Sequence, residues 1–170
     1  DNTASSAAWK VRLLSGTGSP SNNRSFLNTG TISFYLKTNT ANTNAKVRLW
    51  IDDNDGTELS PTLDIINDNQ WHKYVWSLGS YAGTSTDGGN GVINSTTATL
   101  DAIEFSQPNT STTWFIFVDD LMMDPLSTEG TQVNGIVKPV EPLVTLTTQL
   151  NEEKKEKTGL SVFPNPAKGQ

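Results

Sequence analysis

Cysteine is absent from the 170 residues, which excludes a disulfide framework, a zinc–thiolate site and a cysteine nucleophile. Histidine occurs once, at His72. It directly follows Trp71, without a neighbouring cluster of Cys, His or carboxylates, and so reads as structural. No apolar run approaches the ~18 residues that would cross a bilayer. Asp1-Asn2-Thr3 has neither the basic start nor the apolar block of a signal peptide. Positive charge is scarce: 12 Lys and Arg stand against 18 Asp and Glu, for a net charge of −6. The deficit falls in residues 1–125, with 7 against 13, whereas residues 126–170 hold 5 of each. Nucleic acid or an anionic membrane as main partner would require clustered positive charge, so neither is expected. There is no nucleophile elbow, phosphate loop or His-Glu-x-x-His pattern, and no enzyme is expected.

What the sequence does contain is β-grammar. Up to Met123, short runs rich in Val, Ile, Trp, Tyr and Phe alternate with clusters of Gly, Asn, Asp, Ser and Thr. "AAWKVRLL" sets Trp9, Val11 and Leu13 against Lys10 and Arg12. "TISFYLKT" sets Ile32, Phe34 and Leu36 against Ser33, Tyr35 and Lys37. "AKVRLWID" sets Val47, Leu49 and Ile51 against Lys46, Arg48 and Trp50, and "WHKYVWSL" sets Tyr74, Trp76 and Leu78 against Lys73, Val75 and Ser77. Period-2 alternation places one face in a core and the other in water, as antiparallel sheets require. "LDAIEFS" and "TWFIFVDDLMM" follow. The last is apolar on both faces, because Phe115 and Phe117 are out of phase with Trp114, Ile116 and Val118; such a strand is central, or its second face lines a groove. The expected fold is an all-β antiparallel sandwich, with jelly roll the leading topology. "GTGSPSNNR", "TNTANTN" and "SYAGTSTDGGNG" read as polar connecting loops. After Pro125 the character changes to scattered Val and Leu, more proline and the charge run "NEEKKEK", so residues 126–158 are expected to be a linker.

Three groups of residues bear on chemistry. Lys10, Arg12, Tyr35, Lys37, Lys46, Arg48 and Trp50 all alternate with core positions. If their strands share a sheet they form one surface on which aromatics stack on sugar rings and cations meet carboxylate or sulfate. The alternative for each cation is the ordinary one, that it keeps a strand face soluble. "IDDNDGTEL" crowds Asp52, Asp53, Asp55 and Glu58 into one hairpin; the EF-hand register fails because Gly56 stands where a ligand is needed, and Asp-Gly reads foremost as a turn. Asp119 and Asp120 interrupt an apolar strand, so they either reach the surface at a bulge or ligate a cation. Asp101 and Glu104 fall on opposite faces by alternation, which leaves no pair of carboxyls to face each other across a sugar.

The run "GTISFYLKTNT…VRLWIDDNDGTELSPTLDIINDNQWHKYVWSL…LDAIEFSQPNTSTTWFIFVDDLMM" resembles the jelly-roll carbohydrate-binding modules of secreted bacterial polysaccharide-degrading enzymes, over about residues 7–124. The matching pieces are the Asp-Gly hairpin, the Trp-x-x-Tyr-x-Trp-x-Leu strand and the closing aromatic strand ending in Asp-Asp-Leu. "NDNQWHKYVWSL" is also similar to laminin-G-like and concanavalin-like sandwiches, and adhesin jelly rolls are a third relative. The resemblance implies a non-catalytic module in residues 1–125, joined to a catalytic domain of the same parent chain and binding a polysaccharide. An acidic or sulfated algal glycan is expected, held by Trp50, Tyr35, Arg48, Lys46, Arg12 and Lys37; an adhesin binding cell-surface partners is the alternative. The resemblance also implies a structural calcium ion at Asp119 or Asp120, although the family's N-terminal acidic motif has no counterpart in this stretch. "LSVFPNPAKGQ" closely resembles the start of the C-terminal sorting domain of type IX secretion in Bacteroidota, with each element of Leu-x-Val-aromatic-Pro-Asn-Pro-Ala present from Leu160 to Ala167. Residues 159–170 would be its truncated opening, which implies a secreted or cell-surface location.

Overall fold

The computed structural model of the protein describes residues 9–17, 19–40, 44–81, 83–107 and 113–135. The strands follow one another as β1 (Trp9–Leu14), β2 (Arg24–Leu27), β3 (Thr31–Thr38), β4 (Lys46–Asp52), β5 (Thr57–Leu59), β6 (Leu63–Asp64), β7 (His72–Ser77), β8 (Thr84–Thr86), β9 (Thr97–Gln107), β10 (Ile116–Asp124) and β11 (Gln132–Asn134). They form two antiparallel sheets packed face to face, an all-β sandwich. The larger sheet runs β1-β9-β4-β5-β8, with β2 also on β9 and β6 also on β4; the smaller runs β10-β3-β7-β11.

The alternating runs fill the space between the sheets as their periodicity predicts. Ile32, Phe34 and Leu36 of β3 and Tyr74 and Trp76 of β7 face Val47, Leu49 and Ile51 of β4, with Leu100 and Phe105 of β9. Phe34, Tyr74 and Trp76 are fully buried, and the Phe34 and Trp76 ring centroids lie 5.3 Å apart. Aromatic pairs of this kind contribute about 0.5–1.5 kcal/mol beyond area burial. Their polar ends are met: the Trp76 indole N–H donates to the Pro61 carbonyl at 3.0 Å, and the Ile66 N–H donates to the Tyr74 hydroxyl at 2.9 Å. Burial pushes the Tyr74 hydroxyl pKa up to about 12. Gly30 has φ +78°, and any Cβ there would collide with the Asp124 carbonyl where β3 and β10 meet.

Three features depart from the alternation. Val11 and Leu13 take the inward phase but stay about half exposed, at 46% and 48%. Their strand is the outermost of the larger sheet, and among the described residues no strand beyond it covers them. β10 is an edge strand, not a central one; Phe117 on its outer side is 52% exposed and Phe115, just before the strand, 55%. The sheet also extends past the boundary expected at Pro125: Gln132, Val133 and Asn134 pair with Val75, Tyr74 and Lys73. Three residues are too few for alternation to show, which is why this strand lay within the expected linker. Residues 136–158 of that linker and the segment 159–170 lie outside the described residues.

His72 is buried at the start of β7 and tied to the loop before it. Its Nε2 donates to the exposed Asp68 carboxylate at 2.9 Å, and the Gln70 N–H donates to the same oxygen. Slight burial works to raise the Asp68 pKa, but these hydrogen bonds outweigh it and hold the carboxyl below 3.8. A depressed carboxyl pKa contributes stability that is present above the unfolded value and lost as pH falls through the folded one. We therefore expect Asp68→Asn to lower the urea midpoint slightly at pH 7. The gap to wild type should close as pH drops below about 3.8; a gap unchanged down to pH 2 would refute the assignment.

Candidate functional site

The β1-β9-β4 ladder gathers four of the six expected binding residues, Arg12, Lys46, Arg48 and Trp50, on one outer face together with Lys10. Arg12 stands opposite Glu104, and Glu104 opposite Arg48; Lys10 and Lys46 both stand opposite Ser106. The remaining two do not join them, because Tyr35 and Lys37 lie on β3 of the smaller sheet.

Glu104 is the hub of this face, although its residue is only 3% exposed. Arg48 Nε donates to Oε1 at 2.9 Å, the Trp50 indole N–H donates to Oε2 at 3.0 Å, and Lys10 Nζ lies 3.7 Å from Oε1. The Arg12 guanidinium lies over the Trp50 ring, 4.4 Å from its centroid, and pairs with Asp101 at 3.6 Å. Lys46 pairs with Asp64. The Trp50 ring expected to meet a sugar is thus covered by a cation on one side and tethered at its edge, and the surrounding cations already have carboxylate partners.

Asp101 and Glu104 do not lie on opposite faces. Along β9 the register slips between Trp50, which meets Ala102, and Ile51, which meets Leu100. Asp101 is the extra residue of this bulge, so its side chain turns to the same face as Glu104 and reaches Arg12. Burial, and then the neighbouring Asp52, raise its carboxyl pKa against the opposing effects of Asn23 and Arg12. Asn23, from the loop between β1 and β2, ties the two acids together: its Nδ2 donates to Asp52 Oδ2 at 3.2 Å and to Asp101 Oδ1 at 3.3 Å. Nothing in the sequence marks Asn23, one asparagine among several in a polar loop.

The hairpin between β4 and β5 forms as Asp-Gly predicts, with the Asp53 N–H bonded to the Gly56 carbonyl. Carboxylate oxygens of Asp53, Asp55 and Glu58 come within 4.8 Å of one another, a grouping that could hold a metal ion. Each already meets N–H donors from the connection before β9. Glu58 accepts from the Asn90 and Gly91 backbones, Asp53 from the Asn94 backbone at 2.7 Å, and Asp55 from the Asn90 and Asn94 amides at 2.7 and 2.9 Å. The cluster latches hairpin to loop. Burial works to raise the Asp53 carboxyl, but hydrogen bonds from the Asn94 backbone and from Asp55 hold it low, while the hydrogen bond with Asp53 raises the Asp55 carboxyl.

Asp119 and Asp120 sit where β10 bulges against β3, both exposed, with Asp120 at φ 50° and its N–H bonded to Asp119 Oδ1. Of the two alternatives for this pair, the surface bulge is present. On the outer face of the smaller sheet, Phe117 stands opposite Lys37 and Asp119 opposite Tyr35, which in turn stands opposite Lys73. The Asn39 side chain extends this edge by accepting the Phe115 N–H at 2.9 Å and donating to the Thr113 carbonyl at 3.0 Å. Lys73 pairs with Glu129, whereas Lys37 makes no ion pair among the described residues.

No protein-family model, no curated protein and no solved structure matches the chain. Among the described residues no helix is long and apolar enough to cross a membrane. Fold and surface together define an antiparallel β-sandwich with two candidate binding faces, one on each sheet.

Proposed function

We propose that the protein is a non-catalytic binding module that holds an acidic or sulfated polysaccharide on the outer face of its smaller sheet. The observation that carries this reading is the half-exposed pair Phe115 and Phe117 beside Lys37, a lysine with no ion-pair partner among the described residues. Phe117 lies in β10 and Phe115 just before it, about two strand rises or ~7 Å away, a spacing that suits successive sugar rings. Tyr35 extends the platform and Lys37 meets an anionic substituent. Trp50, Arg48, Lys46 and Arg12 then serve mainly to stiffen the larger sheet. A secreted setting, in one chain with a catalytic domain, rests on the sequence resemblances, as does a calcium ion at Asp119 or Asp120.

Affinity electrophoresis on charged and neutral polysaccharides tests the reading. Phe117→Ala and Lys37→Ala are each expected to weaken binding about tenfold, or ~1.4 kcal/mol, and raised salt should weaken it further. Equal binding by wild type and both variants would overturn it. The second reading, a protein partner, is favoured by the apolar strip along β10 that continues through Leu121 and Met122, 45% and 46% exposed. Failure to retain any glycan, with cell-surface binding lost in Phe117→Asp, would favour that partner.

A further inference from the structure

The loop between β1 and β2 returns across the outer face of the larger sheet and places one buried amide between two carboxylates. Asn23 is 9% exposed and Asp52 is 8% exposed. Each acid has one oxygen anchored elsewhere. Asp52 Oδ1 accepts from the Thr57 hydroxyl at 2.7 Å, and Asp101 Oδ2 lies 3.6 Å from Arg12. The other oxygen of each, Asp52 Oδ2 and Asp101 Oδ1, is turned toward Asn23.

The amide itself is only half satisfied. Asn23 Oδ1 is buried and accepts no hydrogen bond from the described residues. It points toward Gly16, where a Cβ would lie 2.6 Å from it and would also collide with the Asn22 carbonyl oxygen. An acceptor therefore faces the same space as a second acceptor. The two ends of an amide have nearly the same shape, and their assignment follows from their partners. Turning this amide over would direct its donor toward the Asn22 carbonyl. It would also bring Oδ1 against two carboxylate oxygens, an arrangement that only a cation among them makes favourable. Thr99 stands opposite Asp52 in the β4–β9 ladder, and its buried hydroxyl oxygen likewise has no partner among the described residues.

We propose that Asp52, Asp101 and Asn23 form a calcium site in which the Asn23 amide inverts on binding, with the Thr99 hydroxyl beside it. The donors are all oxygen, carboxylate and amide carbonyl, in an irregular arrangement, which is the chemistry calcium accepts. Arg12 engages the far oxygen of Asp101 and leaves the near one to the ion. The bound ion fastens the loop to the ends of β4 and β9 at the bulge. The hairpin cluster of Asp53, Asp55 and Glu58 contains no buried, unpartnered acceptor among the described residues.

The test is a titration of the full chain, treated with a chelator, with calcium chloride, read by calorimetry, thermal melting and the side-chain amide resonances of Asn23. One equivalent should bind, raise the melting temperature and displace the Asn23 amide signals. Asp52→Asn and Asp101→Asn should each weaken calcium binding at least about tenfold, as charged ligands set the affinity of such sites. Asp55→Asn should leave binding at this site within about twofold, because Asp55 is not one of its ligands. If either acid variant fails to fold, Asn23→Ala, checked by circular dichroism, should show the same loss. No response up to about 10 mM calcium, beyond the weakest extracellular sites, would overturn the proposal. So would binding that survives Asp101→Asn and Asn23→Ala but disappears in Asp55→Asn.

Discussion

Replacing Glu104 by alanine is expected to cost about 3–5 kcal/mol, the range for breaking a buried ion pair by removing one partner. Its carboxylate, 4% exposed, is the acceptor for Arg48 Nε and for the Trp50 indole N–H. Arg48 is itself only 16% exposed, so the variant leaves a largely desolvated guanidinium without its counter-ion. The other partner matters less: Lys10 is 61% exposed at 3.7 Å, and surface pairs of that kind contribute ~0–1 kcal/mol. Glu104→Ala should therefore exceed Lys10→Ala by several-fold in chemical denaturation followed by circular dichroism. Comparable losses in the two variants would show that Glu104 is solvated in solution. Glu104→Gln should fall between them, since it keeps an acceptor for the indole but not the charge.

Trp76→Ala should be as damaging for a different reason. The side chain is fully buried between the sheets, against Phe34 and Tyr74, and its indole N–H donates to Pro61. Truncating a buried Trp or Phe costs about 3–5 kcal/mol through lost transfer energy and the cavity left behind. Domains are stable by only ~5–15 kcal/mol, so this variant is expected to lose much of its cooperative transition. Trp76→Phe, which keeps most of the volume, should retain a sharp one. Phe115→Ala, at a half-exposed position, should change stability by less than about 0.5 kcal/mol. A melt in which Trp76→Ala behaves like Phe115→Ala would contradict the core described above.

The core was legible because burial follows period 2 wherever a strand is long and faces another sheet. Ile32, Phe34, Leu36, Val47, Leu49, Ile51, Tyr74 and Trp76 all lie inside. Alternation also puts Lys10, Arg12, Lys46, Arg48 and Trp50 on a common side, but not which partners they meet. Arg48 and Glu104 are 56 positions apart, so their pairing depends on topology. The same limit hid the separation of Tyr35 and Lys37 from the others, since β3 joins the smaller sheet. Asp101 was misplaced because a single extra residue in β9 inverts the count, and nothing local in "LDAIEFS" announces it. Asn23 was invisible for a plainer reason: its role is set by a loop folded back over the sheet.

The position of β9 has a consequence for how the chain reaches this state. It bonds with β1 and β2 along one side and β4 along the other, and Trp9 finds its partner only at Gln107. Contacts this distant in sequence must close long loops before they return any stabilisation, and they slow folding accordingly. During synthesis β4 can pair at once with β5 and β6, but β1 and β2 emerge with no ladder to join until β9 arrives. Chain assembly is thus gated late, by the strand that also carries Glu104 and Asp101, so the outer face of the larger sheet is completed only when the fold is.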